Sequence, residues 1–166
     1  MSSDSKTPIA IGPAGHPFLS ALGDDGTARM LSCATERIFA KGDFLCREGQ
    51  PADVCYLLRE GRVALEVHVP NHEGLRVATL HAGDLLGWSW LVPPHRWRLE
   101  ARALEPVRAW RIDATRLRAL CDEDHEFGYR VLLRVISVMG QRLHATRIKL
   151  LDLESRARTG AGGTDH

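Results

Sequence analysis

The sequence predicts a mainly β protein with flanking helices: a double-stranded β-helix jelly roll, followed by a short helix and one long C-terminal helix. Three observations point there. From Glu36 to Ile112, short apolar runs alternate with glycine turns at regular spacing, the pattern of a sandwich or jelly roll. Within one run, Val63, Leu65, Val67 and Val69 alternate with Ala64, Glu66 and His68, the period-two pattern of a strand with one buried face. After Asp113 the period becomes helical, and apolar residues recur at alternating spacings of three and four.

Residues 1–16 are small, polar and proline-containing, a composition that predicts a disordered N-terminus. From Pro17 to Ala34, the residues Phe18, Leu19, Leu22, Met30, Leu31 and Ala34 recur at helical intervals, with Asp24, Asp25 and Gly26 between them. Two short helices are expected there, opening a sensor domain over 17–112. Turns are expected at KGD (41–43), EGQP (48–51), REGR (59–62), NHEG (71–74) and AGD (82–84). The intervening strands are FLC (44–46), VCYLL (54–58), VALEVHV (63–69), LRVATL (75–80) and VRAWRI (107–112).

Asp113 is a good N-cap for a short helix, ATRLRALCDED. A short helix and a long helix are expected over 113–156, and the long one carries Leu132, Ile136, Met139, Leu143, Thr146, Leu150 and Leu153 on one seam. A heptad seam of this kind predicts a homodimer through Leu132, Ile136, Met139, Leu143, Leu150 and Leu153. A second stripe, Phe127, Val131, Val135 and Val138, lies beside its first half. The polar segment 157–166 is expected to be a disordered tail.

Bulk properties narrow the function. The chain has 166 residues and a formal net charge of +1. A free DNA-binding domain or a polybasic membrane binder normally carries a basic excess, so neither nucleic acid nor a membrane is expected as a direct partner. The four cysteines, Cys33, Cys46, Cys55 and Cys121, show no CxxC spacing, which predicts reduced thiols in a cytoplasmic protein. His68, His72, His81 and His95 lack the spacing of a metal centre, and no nucleophile–base set can be assembled, so no metal and no catalysis are expected.

The segment Gly83–Ala103, GDLLGWSWLVPPHRWRLEARA, carries the chemistry. A glycine turn at Gly87 opens it and Arg96, Arg98 and Arg102 close it. These arginines share one strand parity and form either an oxyanion clamp or a solvated strand face with an internal pair to Glu100. Trp88, Trp90 and Trp97 form either an aromatic wall for a ligand or core filling.

The order of elements resembles the cyclic nucleotide-binding domain of the catabolite activator (Crp/Fnr-like) family. KGDFLCREGQPADVCYLLREGRVALEV (41–67) is similar to its first hairpins, GDLLGWSWL to its cassette opening and MGQRLHATRIKLLDL (139–153) to its dimer helix. The resemblance implies a non-catalytic regulatory module binding a small ligand, cyclic AMP or cyclic GMP in the family itself, through Gly87, Trp88, Ser89, Arg96, Trp97, Arg98 and Thr146. It also implies signalling through a helical dimer. Two departures qualify it, one in the cassette and one after the long helix. Trp88 stands where the family has a ribose-binding glutamate, and indole cannot accept a hydrogen bond as a carboxylate does. The family's phosphate arginine falls at Arg98 counting forward from Gly87, and at Trp97 counting back from ARA. After the long helix a polar tail, and not the family's helix-turn-helix, is expected. The alternatives are therefore a dimeric scaffold with a degenerate pocket, or an indirect transcription regulator whose partner reads the DNA.

Overall fold

The computed structural model describes residues 10–161. The chain divides into two compact units, Met1–Val131 and Leu132–His166. The first holds two four-stranded antiparallel sheets. One has the order β1 (Ala34–Phe39), β8 (Val107–Asp113), β3 (Val54–Glu60), β6 (Leu85–Leu86); the other has the order β2 (Phe44–Cys46), β7 (Glu100–Ala103), β4 (Val63–Val67), β5 (Leu75–Leu80). The expected jelly-roll architecture is present, and the five strands placed from the sequence sit at the positions predicted for them. Three further strands complete the sheets: β1, the two-residue β6 and β7.

The core lies between the sheets. Leu45, Tyr56, Leu58, Val63, Leu65, Leu86, Trp97 and Val107 pack in one cluster. Glycine at position 61 is required by space as well as by conformation. Its φ is +86°, and a Cβ would lie 2.4 Å from the Pro106 carbonyl oxygen, closer than any real contact.

On β4, alternation is weaker than predicted. Ala64 and Glu66 are buried together with Val63 and Leu65. A buried carboxylate needs a partner, and Arg102 of β7 supplies it, its Nη2 2.7 Å from Glu66 Oε1. The ion pair on β7 therefore runs from Arg102 to Glu66 on the neighbouring strand, not to Glu100.

The N-terminal segment departs from the expected disorder. Residues 1–9 lie outside the described residues, but Pro13–Gly15 forms a 3-10 turn and His16 is fully buried. His16 Nδ1 accepts from the Phe18 N–H at 3.3 Å, so its Nε2–H donates to the Leu58 carbonyl at 3.1 Å. Burial lowers its pKa to about 4. Arg59 binds the same segment: its Nε donates to the Ile11 carbonyl at 2.9 Å while its guanidinium stacks on Trp110.

Helices α1 (Pro17–Ser20) and α2 (Gly23–Leu31) follow. The break falls at Gly23, with φ +74°. Asp24 and Asp25 sit in the first turn of α2, where carboxylates suit the helix dipole. They do not interrupt it.

Asp113 caps α3 (Ala114–Glu123) as expected, accepting from the Arg116 N–H at 3.2 Å. Asp124 then caps α4 (His125–Gly160), its Oδ1 accepting from Glu126 and Phe127 N–H. Its Oδ2 pairs with Arg29 of α2 at 2.9 Å, and Arg29 also covers the Phe127 ring.

In the second unit α4 continues to Gly160, four residues beyond the expected end; residues 162–166 lie outside the described residues. Leu132, Ile136, Met139, Leu143, Leu150 and Leu153 are all exposed, between 36% and 62%. No helix among the described residues is long and apolar enough to cross a membrane.

Candidate functional site

The cassette begins where β6 ends. Gly87 has φ +99°, a conformation that favours glycine. Trp88 follows, half-buried, and opens a 3-10 turn at Ser89–Leu91. Ser89 is buried, and so is Trp90, whose Nε1–H donates to the Gly87 carbonyl at 3.2 Å. Trp90 is therefore core, its one polar atom satisfied by the turn it covers.

Residues 95–97 are zipped to 49–52. The Ala52 N–H donates to the His95 carbonyl at 2.7 Å, the Gly49 N–H to the Trp97 carbonyl at 2.8 Å, and the Trp97 N–H to the Gln50 carbonyl at 2.9 Å. Strand pairing in β7 begins only at Glu100. The expected continuous arginine strand from 96 to 102 is thus a short bridge, a gap and a four-residue strand.

The expected alternation still holds across it. Trp97 points into the core cluster, while Arg96 and Arg98 are exposed. Arg96 Nη1 donates to the Gly49 carbonyl at 2.7 Å. Arg102 is committed to Glu66, and that hydrogen bond raises its pKa. The three arginines therefore do not converge. One ties a turn, one sits in an ion pair, and Arg98 faces solvent.

Trp97 occupies the ground beside the turn. A Cβ built on Gly87 would lie 2.5 Å from Trp97 Cη2 and 2.8 Å from Cζ3. Gly87 thus has two reasons to be glycine: its backbone conformation and the indole seated against it. An indole carries no charge and a single donor, so this inward position offers no guanidinium to a phosphate. Of the two alignments open in the sequence, the inward-facing residue is the tryptophan.

Arg118 of α3 holds the cassette loop from the other side. Its Nη1 donates to the Trp90 carbonyl at 3.1 Å and to His95 Nδ1 at 2.8 Å. Because a guanidinium only donates, His95 Nδ1 is the acceptor in this contact. Nothing in the local sequence flags Arg118, because the contact joins residues 23 and 28 positions apart. Glu66 did carry a signal: it is the one acid inside the apolar run VALEV.

Three of the thiols are buried and Cys121 is half-buried. Burial pushes Cys46 up to about 12 and Cys121 up to about 11, and raises Cys55 as well. Thiolate is the nucleophile, so these groups are held in the inert form. Thr146 lies in the second unit, exposed, its hydroxyl donating to the Arg142 carbonyl of its own helix at 2.9 Å.

Paired antiparallel sheets, a glycine-turned cassette and a long C-terminal helix define the class: a regulatory jelly-roll domain. The sequence profile of the family described as cyclic nucleotide-binding domain matches residues 36–124. This chain belongs to that family. A provisionally assigned cyclic nucleotide-binding protein from Geobacter metallireducens superposes with a TM-score of 0.71 at 28% identity, covering 81% of this chain and 99% of that one. Glutaminase 1 of Bradyrhizobium diazoefficiens is 36% identical over 74 residues, 45% of this chain and 11% of that protein. A provisionally assigned potassium channel protein of Rhodopseudomonas palustris is 25% identical over 141 residues, covering 85% of this chain and 33% of that protein. The chain therefore spans about a tenth and a third of the length of these curated relatives.

Proposed function

We propose that this chain is a non-catalytic regulatory module that works as a dimeric interaction scaffold, its cyclic nucleotide cassette closed by its own tryptophan. The observation that carries this reading is Trp97 seated on Gly87 with Arg96 and Arg98 turned outward. A cyclic phosphate needs a cation in a desolvated site, and a ribose hydroxyl needs an acceptor. Trp97 and Trp88 supply neither.

Signalling runs through the helical homodimer. A seam with exposed Leu132, Ile136, Met139, Leu143, Leu150 and Leu153 gains roughly 1.5–3 kcal/mol per large side chain fully buried, and a second copy offers the matching seam. The compartment assigned is the cytoplasm, where free thiols such as Cys33, Cys46 and Cys55 stay reduced. No direct nucleic acid contact is assigned.

Titration calorimetry with cyclic AMP and cyclic GMP tests the closed cassette. Flat heats and an unmoved melting temperature are expected for the wild type. Micromolar binding of either nucleotide would overturn the reading. The double change Trp88→Glu and Trp97→Arg restores both missing groups, and a nucleotide-dependent thermal shift is expected in that variant alone.

A further inference from the structure

We propose that Arg37, Arg111 and Thr35, where the inner face of the first sheet opens to solvent, bind a phosphate monoester group. The site lies on β1 and β8, outside the cassette, and needs no second copy. The sheet β1–β8–β3–β6 carries four arginines, and its two faces treat them differently. On the outer face Arg59 and Arg108 share Glu36, with Arg59 Nη1 3.0 Å from Glu36 Oε1. On the inner face neither Arg37 nor Arg111 has a carboxylate at ion-pair distance among the described residues. Register brings these two together. Thr35 stands directly opposite Arg111, and Arg111 directly opposite Tyr56. Side chains at directly paired positions rise from the same face, so Thr35, Arg111 and Tyr56 form a row. Arg37, one same-face step along β1, lies on the diagonal to Arg111, about 7–8 Å away.

The row is anchored at its inner end. Tyr56 belongs to the core cluster, and its hydroxyl donates to the Leu45 carbonyl at 3.2 Å. Arg111 donates to that hydroxyl oxygen; burial pushes the Tyr56 pKa up, and the positive charges of Arg111 and Arg37 act against the rise. Arg111 is thus half-buried on a neutral partner, while Arg37 and Thr35 are exposed on the edge strand. The acids nearby are committed elsewhere. Asp113, two residues along β8 from Arg111, caps α3 by accepting from the Arg116 N–H at 3.2 Å, and the Arg116 side chain in that same turn offsets its charge. Glu36 belongs to the outer face and holds two arginines there. Two neighbouring guanidinium groups repel each other, and an oxyanion between them reverses the sign of that interaction. A carboxylate has two oxygens, and a single guanidinium fork takes both. A phosphate monoester has three oxygens and a charge of about −2, enough for two forks and the Thr35 hydroxyl.

The test titrates the full chain with inorganic phosphate at constant ionic strength while magnetic resonance follows the arginine Nε–Hε signals. Those of Arg37 and Arg111, assigned through Arg37→Lys and Arg111→Lys, are expected to move together and saturate while Arg96 and Arg98 stay still. Arg37→Gln, at an exposed position, is expected to weaken binding about tenfold with an unchanged melting temperature. Arg37→Lys keeps the charge without the fork and is expected to weaken it less. A second titration uses a short phosphoserine peptide. Tighter binding than inorganic phosphate supports a phosphate carried by a modified partner, and equal binding supports a free one. A shift that grows linearly and that sodium chloride reproduces overturns the proposal, as does unchanged affinity in Arg37→Gln. A glutamate version of the peptide that binds as tightly as the phosphoserine one also overturns it, in favour of an acidic protein surface.

Discussion

Gly87 and Trp97 constrain each other. Alanine at 87 must adopt a left-handed backbone and displace an indole that has core on its other side. Gly87→Ala is expected to cost about 2–4 kcal/mol, read as a fall in the urea midpoint at unchanged m-value. Trp97→Ala removes the same contact by emptying it and is expected to cost about 3–5 kcal/mol. The two changes combined should cost less than their sum, because the alanine methyl then has room. His16 gives a second residue-scale test, in which pH is the variable. Its folded pKa of about 4 lies below the ordinary imidazole value of 6.5, so between those values the unfolded chain binds more protons than the folded one. The stability it contributes is complete above pH 6.5 and is lost as pH falls toward 4. Over that window wild type should lose up to about 1.4 kcal/mol per pH unit more than His16→Gln, measured by denaturant titration at each pH. Equal slopes for the two proteins refute this account of His16.

Among the elements, α4 depends on its cap. Asp124 satisfies two N–H groups at the start of the helix and pairs with Arg29. Asp124→Ala is expected to cost about 1–2 kcal/mol and to speed amide exchange in the first turn at Glu126 and Phe127. Leu143→Asp, on the exposed seam, should leave the melting temperature of the β core near that of wild type and halve the mass seen by light scattering. The strands were legible because the turns between them are written in glycine. Gly42, Gly49, Gly61, Gly83 and Gly87 all have positive φ, a conformation few other residues adopt. The NHEG turn was legible for a different reason, since there Asn71 takes the positive φ. Inside the cassette the sequence was ambiguous, because parity tells which residues share a face and not which face is inward. The loop from Val92 to Arg96 breaks the strand, so counting from either end gave a different residue. The Glu66–Arg102 pair was hidden by its 36-residue separation, and β6 by having only two residues.

For the whole molecule, thiol chemistry reports on global opening. Cys33, Cys46 and Cys55 are buried and Cys121 is partly so, with pKa values raised for three of the four. At pH 8 the native protein should react with an aromatic disulfide reagent far more slowly than the guanidinium-unfolded chain, in which four thiols are expected to titrate. Rapid native labelling of Cys46 or Cys55 would show that the core opens locally at low cost. The tryptophan on Gly87 has a consequence at this scale as well. A sensor answers a small molecule only as far as that molecule prefers one of its states over the other, and the closed cassette proposed above leaves such a molecule little to distinguish. What remains variable in the cell is how many copies there are. In the dimeric scaffold proposed above, abundance itself becomes the input: mass action on the helix seam would turn expression level into the signal, with the gene's promoter in the place of a diffusible messenger.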